Sequence, residues 1–208
     1  MIKNIVFDMG NVLILFYPEK IFTKFLSDKE DIEAIMTHFF RTDEYREVDR
    51  GTMTYAQVLE KIKGRLPDRL HSLLEELFVD NCFVTNHMPP FPEMYDLVNE
   101  LKENGYNTYL LSNATKMFHG YKDKIPVLGL MDGILVSADH KLLKPEREIY
   151  EKLFSEFSLD REECIFIDDV EENIRGSIDC GMDGIVFSPT CEDVSVLRQK
   201  LRDKGVKI

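Results

Sequence analysis

The sequence predicts an α/β fold: a parallel sheet with helices on both faces, interrupted once by an all-helical insertion. Two observations carry this. Short apolar runs end repeatedly in polar or acidic residues with helical patterns between them, and one long stretch shows helical periodicity with no strand in it. Runs apolar on both faces suit strands of a sheet buried from both sides, and alternating strands and helices imply right-handed crossovers.

The first run, Ile5, Val6 and Phe7, ends in Asp8, with Gly10 two places on. A charge closing a buried strand is costly unless something uses it. From about residue 18 to 85 the apolar residues then recur at helical spacing: Ile21, Phe22, Phe25 and Leu26, then Ile32, Ile35, Met36, Phe39 and Phe40, then Val58, Leu59 and Ile62. This segment reads as a helical lobe that leaves after the first strand and returns before the second. Residues 1–16 and 86–208 form the expected core, and 17–85 the insertion. Three prolines within 87–94 stiffen the return, and Phe16-Tyr17 reads as an apolar junction or as a wall of the pocket.

A helix over 92–103 carries Met94, Leu97, Val98 and Leu101 and stops at Asn104-Gly105. The next runs, 108–111 and 134–136, lead into Ser112-Asn113 and SAD. Lys144-Pro145 is placed to open a helix over 146–157, with Ile149, Tyr150, Leu153 and Phe154 on one face. The run 164–167 ends in the adjacent Asp168-Asp169. A short helix over 173–180 ends at Gly181, and the run 184–187 ends in SPT. Ligands of an open parallel sheet sit at the carboxyl ends of its strands, so these polar endings converge on one rim beneath the lobe.

Composition narrows the partners. Lys plus Arg is 26 and Asp plus Glu is 38, a formal net charge of -12, which argues against nucleic acid or an anionic membrane surface. A small anionic substrate stays open, because a metal and a few donors can reverse the potential locally. Cysteines at 82, 164, 180 and 191 and histidines at 38, 71, 87, 119 and 140 show no metal-ligand spacing. Reduced thiols, no membrane-length apolar stretch and a strand beginning almost at once give a cytoplasmic protein as the expectation. The apolar stripes of the insertion are compatible with a dimer; the sequence leaves the oligomeric state open.

Each rim residue has an ordinary structural reading. A lone Asp after a strand is commonly a cap or turn residue, and Ser112-Asn113 would pass as a turn. The adjacent acids Asp168-Asp169 are harder to dismiss, since neighbouring carboxylates repel unless a cation or donor neutralises them.

In combination and in this order, Asp8-Met9-Gly10-Asn11-Val12, Ser112-Asn113, Lys144-Pro145 and Ile167-Asp168-Asp169 resemble the four motifs of the haloacid dehalogenase-like (HAD) hydrolases, over essentially the whole chain. The resemblance implies a Rossmann-like core with an inserted α-helical cap. Residues 44–54, EYREVDRGTMT, also resemble a cap stretch of the α-glucose-1-phosphate phosphatase branch, whose first motif likewise has glycine two places after the nucleophile.

The implied activity is a Mg2+-dependent phosphatase of a small phosphorylated metabolite, sugar phosphates being one such class. Asp8 would attack phosphorus and form an aspartyl-phosphate. Asp8, Asp169 and the Gly10 backbone carbonyl would hold the metal, with Asp168 a further ligand or an outer partner. Ser112, Asn113 and Lys144 would bind phosphate, and Lys144 would pair with Asp8 and keep it ionised. Asn173 would orient the loop after the acids or cap the helix.

Gly10 departs from most phosphatases of this superfamily, which place a second Asp there as acid and base. Such groups contribute about 10²–10⁴-fold. Three readings follow: a leaving group acidic enough to depart unaided, a proton donor in the insertion (Glu44, Tyr45, Arg46 or Asp49), or a site that binds phosphate ligands without turnover. Dehalogenases also lack the second Asp, but Asp168-Asp169 beside Asp8 would repel a haloacid. Within the insertion, Phe39-Phe40-Arg41 and Tyr45-Arg46 either face the site or pack helices.

Overall fold

The computed structural model describes residues 1–79 and 87–208. Five parallel strands, β1 (Asn4–Phe7), β2 (Asn107–Ser112), β3 (Gly133–Val136), β4 (Cys164–Asp168) and β5 (Asp183–Val186), form one sheet in the order β3-β2-β1-β4-β5. β1 is central because it is fully covered: all four residues are buried. Ile5 and Phe7 pack with Ile165 and Ile167 into one cluster, while Val6 joins Phe166 in the cluster on the opposite face. Strands buried on both sides need apolar residues at every position, which is why the runs are unbroken.

The helices that cover these faces are amphipathic. In the chain's numbering of described helices, α6 (Pro92–Glu103) and α11 (Val194–Asp203) bury Leu97, Leu101, Leu197 and Leu201 against the first face. α9 (Arg147–Phe157) and α10 (Glu171–Asp179) bury Ile149, Leu153 and Ile174 against the second. The register aligns Phe7 with both Leu110 and Ile167, so Asp8, the end of β2 and Asp168 emerge side by side.

The insertion has its own core. α1 (Pro18–Phe22), α2 (Lys29–Ile35) with a π-turn at Met36–Phe40, α3 (Asp43–Arg50), α4 (Tyr55–Lys61) and α5 (Asp68–Val79) gather Phe22, Ile35, Phe39, Val58, Leu74 and Phe78. Side-chain caps start these helices: Thr42 accepts from the Tyr45 N–H, and Thr54 and Gln57 form a reciprocal capping box. The expected return boundary at 85/86, and Cys82, lie outside the described residues. Just beyond, the outgoing and returning chains run antiparallel: the Leu15 N–H donates to the Pro89 carbonyl (2.8 Å) and the Phe91 N–H to the Leu13 carbonyl (3.0 Å). Among the described residues no helix is long and apolar enough to cross a membrane.

Two sequence expectations need correction. Lys144-Pro145 does not open a helix; both lie in a turn and α9 begins at Arg147, because a residue before proline is disfavoured in the helical region. Asn173 is not an N-cap. It is the third residue of α10, whose N-cap position is Val170.

α3 ends at Gly51 with φ +77°, the left-handed region that glycine adopts without strain. There the insertion touches α8 (Ser137–His140), and a Cβ at Gly51 would overlap the Ala138 carbonyl oxygen. Gly105 has φ +83° but nothing within 4 Å of its would-be Cβ. Gly105→Ala therefore incurs only backbone strain, on the order of 1 kcal/mol. Gly51→Ala is expected to lose clearly more in urea unfolding, because the lobe must also move.

Candidate active site

The centre of the rim is a buried ion cluster. Lys144 Nζ lies 2.7 Å from Asp8 Oδ1 and 2.7 Å from Asp168 Oδ2, and donates to the Leu111 carbonyl at 3.0 Å. Its three N–H groups are thus all engaged. Asn113 fixes the lysine: its side chain accepts from the Lys144 N–H (2.9 Å) and donates to the Lys144 carbonyl (3.1 Å). Burial works against the lysine's charge, but Asp168 and Asp8 outweigh it and hold its pKa above the ordinary value.

Asp168 is fully buried and its oxygens are committed. Beside Lys144 it accepts from the Val170 N–H (2.8 Å) and, at 3.0 Å on both oxygens, from Asn173 Nδ2. Asp169 is freer; among the described residues, the side chain that donates to it is Asn11, through Nδ2 at 3.3 Å. Asn11 holds φ 53°, a conformation asparagine tolerates, and its Oδ1 accepts from the Phe16 N–H. Nothing local in the sequence points to its link with Asp169, 158 residues away.

Ligand atoms of Asp8, Asp168 and Asp169 lie within 4.8 Å of one another. Burial pushes the Asp8 carboxyl up to about 7, with Lys144 pulling against it and Asp168 and Asp169 adding to it. Lys144, paired with Asp8 at 2.7 Å, lowers that carboxyl but does not cancel the effect of burial and its acidic neighbours. Burial and Asp168 likewise raise Asp169. Three carboxylates share one lysine, so an added cation is what this cluster favours. The donors are all oxygen, and no hydrogen bond from a described residue reaches the Gly10 carbonyl, which lines the same cavity. That set fits a hard cation such as Mg2+.

Above the cluster lies a cavity of about 270 Å³. Its floor includes Asp8, Gly10, Ser112, Asn113 and Lys144. Ser112 Oγ and the backbone N–H groups of Met9, Gly10 and Asn113 make no hydrogen bond to a described residue, which leaves a set of donors facing one space. The insertion supplies Tyr45, Asp49, Tyr55 and Phe78 as walls. Of Phe16 and Tyr17, open between junction and wall, Phe16 lines the cavity while Tyr17 is exposed. Of the other insertion candidates, Glu44 is paired with Arg65 at 2.8 Å, Arg46 is exposed, and Arg41 binds Glu33 and Glu19. Tyr55, Phe78 and Tyr121 were missed: their apolar spacing reads as ordinary core.

Burial, and then Asp8, raise the Asp49 carboxyl to about 8. Unfolded aspartates release their protons near pH ~4. Native Asp8 and Asp49 hold theirs longer, so the native state binds more protons across about pH 4–8 and loses stability as pH rises through that window. The metal-free protein should show a thermal midpoint that falls from about pH 5 to pH 8. Asp49→Asn should flatten that fall.

Comparison with known proteins follows this geometry. The haloacid dehalogenase-like hydrolase family matches residues 2–181. The chain is 27% identical over 200 residues to a sesquiterpene phosphatase of Aspergillus oryzae, covering 95% of each. It is 30% identical over 112 residues to an enolase-phosphatase E1 of Hydrogenobaculum, spanning 51% of this chain and 50% of that one. Among solved structures, the magnesium complex of the HAD family enzyme BT-2542 from Bacteroides thetaiotaomicron superposes with a TM-score of 0.71 at 25% identity, over 94% of this chain and 98% of the other. A match over most of the sequence, on the sheet and rim just described, makes this chain an enzyme of the haloacid dehalogenase-like hydrolases.

Proposed function

We propose that the protein is a Mg2+-dependent phosphatase of a small organic phosphate, working through an aspartyl-phosphate on Asp8, with residues 17–85 as its cap. The observation that carries the reading is the convergence, on one rim, of a carboxylate cluster short of positive charge and a set of unengaged donors. A phosphoryl group with a divalent cation satisfies both. Asp8, Asp169 and the Gly10 carbonyl would hold the metal, and Asp168, whose oxygens are engaged by Lys144, Asn173 and Val170, would orient the cluster from outside. Bound magnesium supplies the neutralisation that lets an anionic nucleophile approach an anionic phosphoryl group.

The chain's own groups do the rest. Asp8 Oδ attacks phosphorus while Lys144, at 2.7 Å, holds its other rotamers in check and lends its charge. Ser112 Oγ and the Met9, Gly10 and Asn113 N–H groups take the phosphoryl oxygens as they gain charge. With its three N–H groups engaged, Lys144 serves the phosphate by charge more than by a hydrogen bond.

Beyond the phosphate, the described walls hold no Lys or Arg other than Lys144, and Phe16, Tyr45, Tyr55 and Phe78 present aromatic surface. This favours a leaving group with apolar surface and no second anion. The similarity to a sesquiterpene phosphatase points the same way. An adjoining cavity shares Tyr55, Phe78 and Thr115 with this one and gives room for a longer apolar tail. Sugar phosphates, one class the sequence left open, find tyrosine and threonine hydroxyls and Asp49 on the described walls contributed above the rim.

A second reading, phosphate binding without turnover, draws on Gly10. Phosphate release with Mg2+ over isoprenoid, aryl, sugar and acyl phosphates separates the two. Apolar monophosphates should exceed sugar phosphates in kcat/KM by at least about tenfold, the size of a modest apolar contact. Asp8→Asn should abolish release on all of them. Beryllofluoride with Mg2+ raising the thermal midpoint, beside no phosphate release from any substrate, would favour the binding reading instead.

A further inference from the structure

Resting on the phosphatase reading, we propose that Asp49 of the helical lobe is the general acid and base of the reaction, the role Gly10 leaves vacant. Four residues of α3 were candidates, and the fold separates them. Glu44 is held by Arg65 and Arg46 faces solvent, while Tyr45 and Asp49 line the cavity over Asp8. Burial, then Tyr55 and Asp49, hold the Tyr45 hydroxyl well above its ordinary pKa, so it is a poor donor near neutrality.

The Asp49 side chain has no hydrogen bond or ion pair to a described residue. Its backbone, by contrast, is gripped by the core. Ser137 Oγ donates to the Asp49 carbonyl at 2.5 Å and accepts from the Ala114 N–H at 2.9 Å, which ties α3 to the segment just after β2. Arg50, the next residue, makes a two-pronged pair with Glu146 at 2.8 and 2.5 Å, and Glu146 also accepts from the Leu143 N–H beside Lys144. Gly51 then lies against Ala138. Three consecutive residues are thus anchored to the core, Asp49 and Gly51 to the start of α8 and Arg50 to the turn beside Lys144, and the Asp49 carboxyl opens into the cavity. A carboxyl held in place by its neighbours and open to the cavity is positioned for proton transfer to a bound group.

Its side of the cavity is the one the chemistry needs. In-line displacement by Asp8 from the sheet end sends the leaving oxygen away from Asp8, toward the lobe. Asp8 Oδ forms a bond to phosphorus as the bond from phosphorus to the leaving oxygen breaks; that electron pair takes the Asp49 proton and the alcohol departs. Water entering the vacated position gives its proton to the Asp49 carboxylate as its oxygen attacks phosphorus. The phosphorus–Asp8 bond breaks, its pair returns to Asp8, and phosphate leaves with Asp49 protonated again. Burial first, and Asp8 second, raise the Asp49 carboxyl above the usual carboxylate range; Tyr45, Tyr55 and Tyr121 are the other titratable groups facing it.

Gly10 itself is not imposed by its backbone or by crowding. Its φ lies outside the left-handed region, and a Cβ there would meet only Phe16 Cβ at 3.7 Å. A carboxylate can therefore be returned to position 10 as a rescue.

The test compares alkyl phosphates, whose leaving oxygen needs a proton, with p-nitrophenyl phosphate, whose leaving oxygen does not. Asp49→Asn should slow alkyl esters by about 10²–10⁴-fold while p-nitrophenol release keeps a rapid first turnover, because only the later hydrolysis then lacks its base. Intact-mass measurement should show the phosphorylated enzyme accumulating. Gly10→Asp added to Asp49→Asn should restore alkyl-ester turnover, and circular dichroism checks that each variant is folded. Equal losses on both substrate series, or no loss on either, would overturn the assignment. A wild-type protein inactive on both would sink the phosphatase reading, and this assignment with it.

Discussion

The site depends on one buried ammonium. Lys144 Nζ joins three elements distant in sequence: Asp8 after β1, the Leu111 carbonyl in β2 and Asp168 at the end of β4. Removing a lysine and two carboxylates from water is expensive, and the geometry offsets it only because every lysine N–H has a partner. Asn113 and Asn173 complete the arrangement, one holding the lysine's backbone and the other the far side of Asp168. The charge is still unbalanced. Lys144 makes no direct pair with Asp169, and the raised Asp8 and Asp169 carboxyls express that shortage. On the proposed reading, a divalent cation and its oxygen-rich ligand would relieve that shortage.

Around that centre the cavity is divided by chemistry. Its floor is polar because strand ends expose backbone donors that the sheet no longer pairs, and its walls are aromatic because they are the exposed edge of the insertion's own core. Tyr45 and Tyr55 belong to both the Phe39–Phe78 aromatic cluster and the cavity lining. Packing within the lobe and recognition by the lobe therefore use the same residues, so a change in one is felt in the other. The contacts of Ser137, Arg50 and Gly51 then set how the lobe sits over the floor.

Much of this was legible in the chain. Apolar runs at 5–7, 108–111, 134–136 and 164–167 became strands within a residue or two, and the helices over 92–103 and 146–157 lie almost where their periodicity placed them. Asp8, Ser112, Lys144, Asp168 and Asp169 were identifiable because each follows a strand or marks a turn, and strands of one parallel sheet end on one rim. Local spacing failed where a residue's partner is far away. The side chain of Asn113, which would pass as part of a turn, holds the Lys144 backbone 31 residues away; Asn173, open between orienting the loop after the acids and capping a helix, serves Asp168 from within a helix.

By itself, then, the sequence determined the elements and the rim, because hydrophobic periodicity and strand-end polarity are short-range properties written into consecutive residues. Only the tertiary structure decided which of Glu44, Tyr45, Arg46 and Asp49 reach the cavity, since four neighbours on one short helix point in different directions and the docking of that helix selects among them. It also decided the wall. Phe16, Tyr55, Phe78 and Tyr121 carry the same apolar signature whether buried in a core or lining a cavity, and the difference lies in how two packed bodies meet.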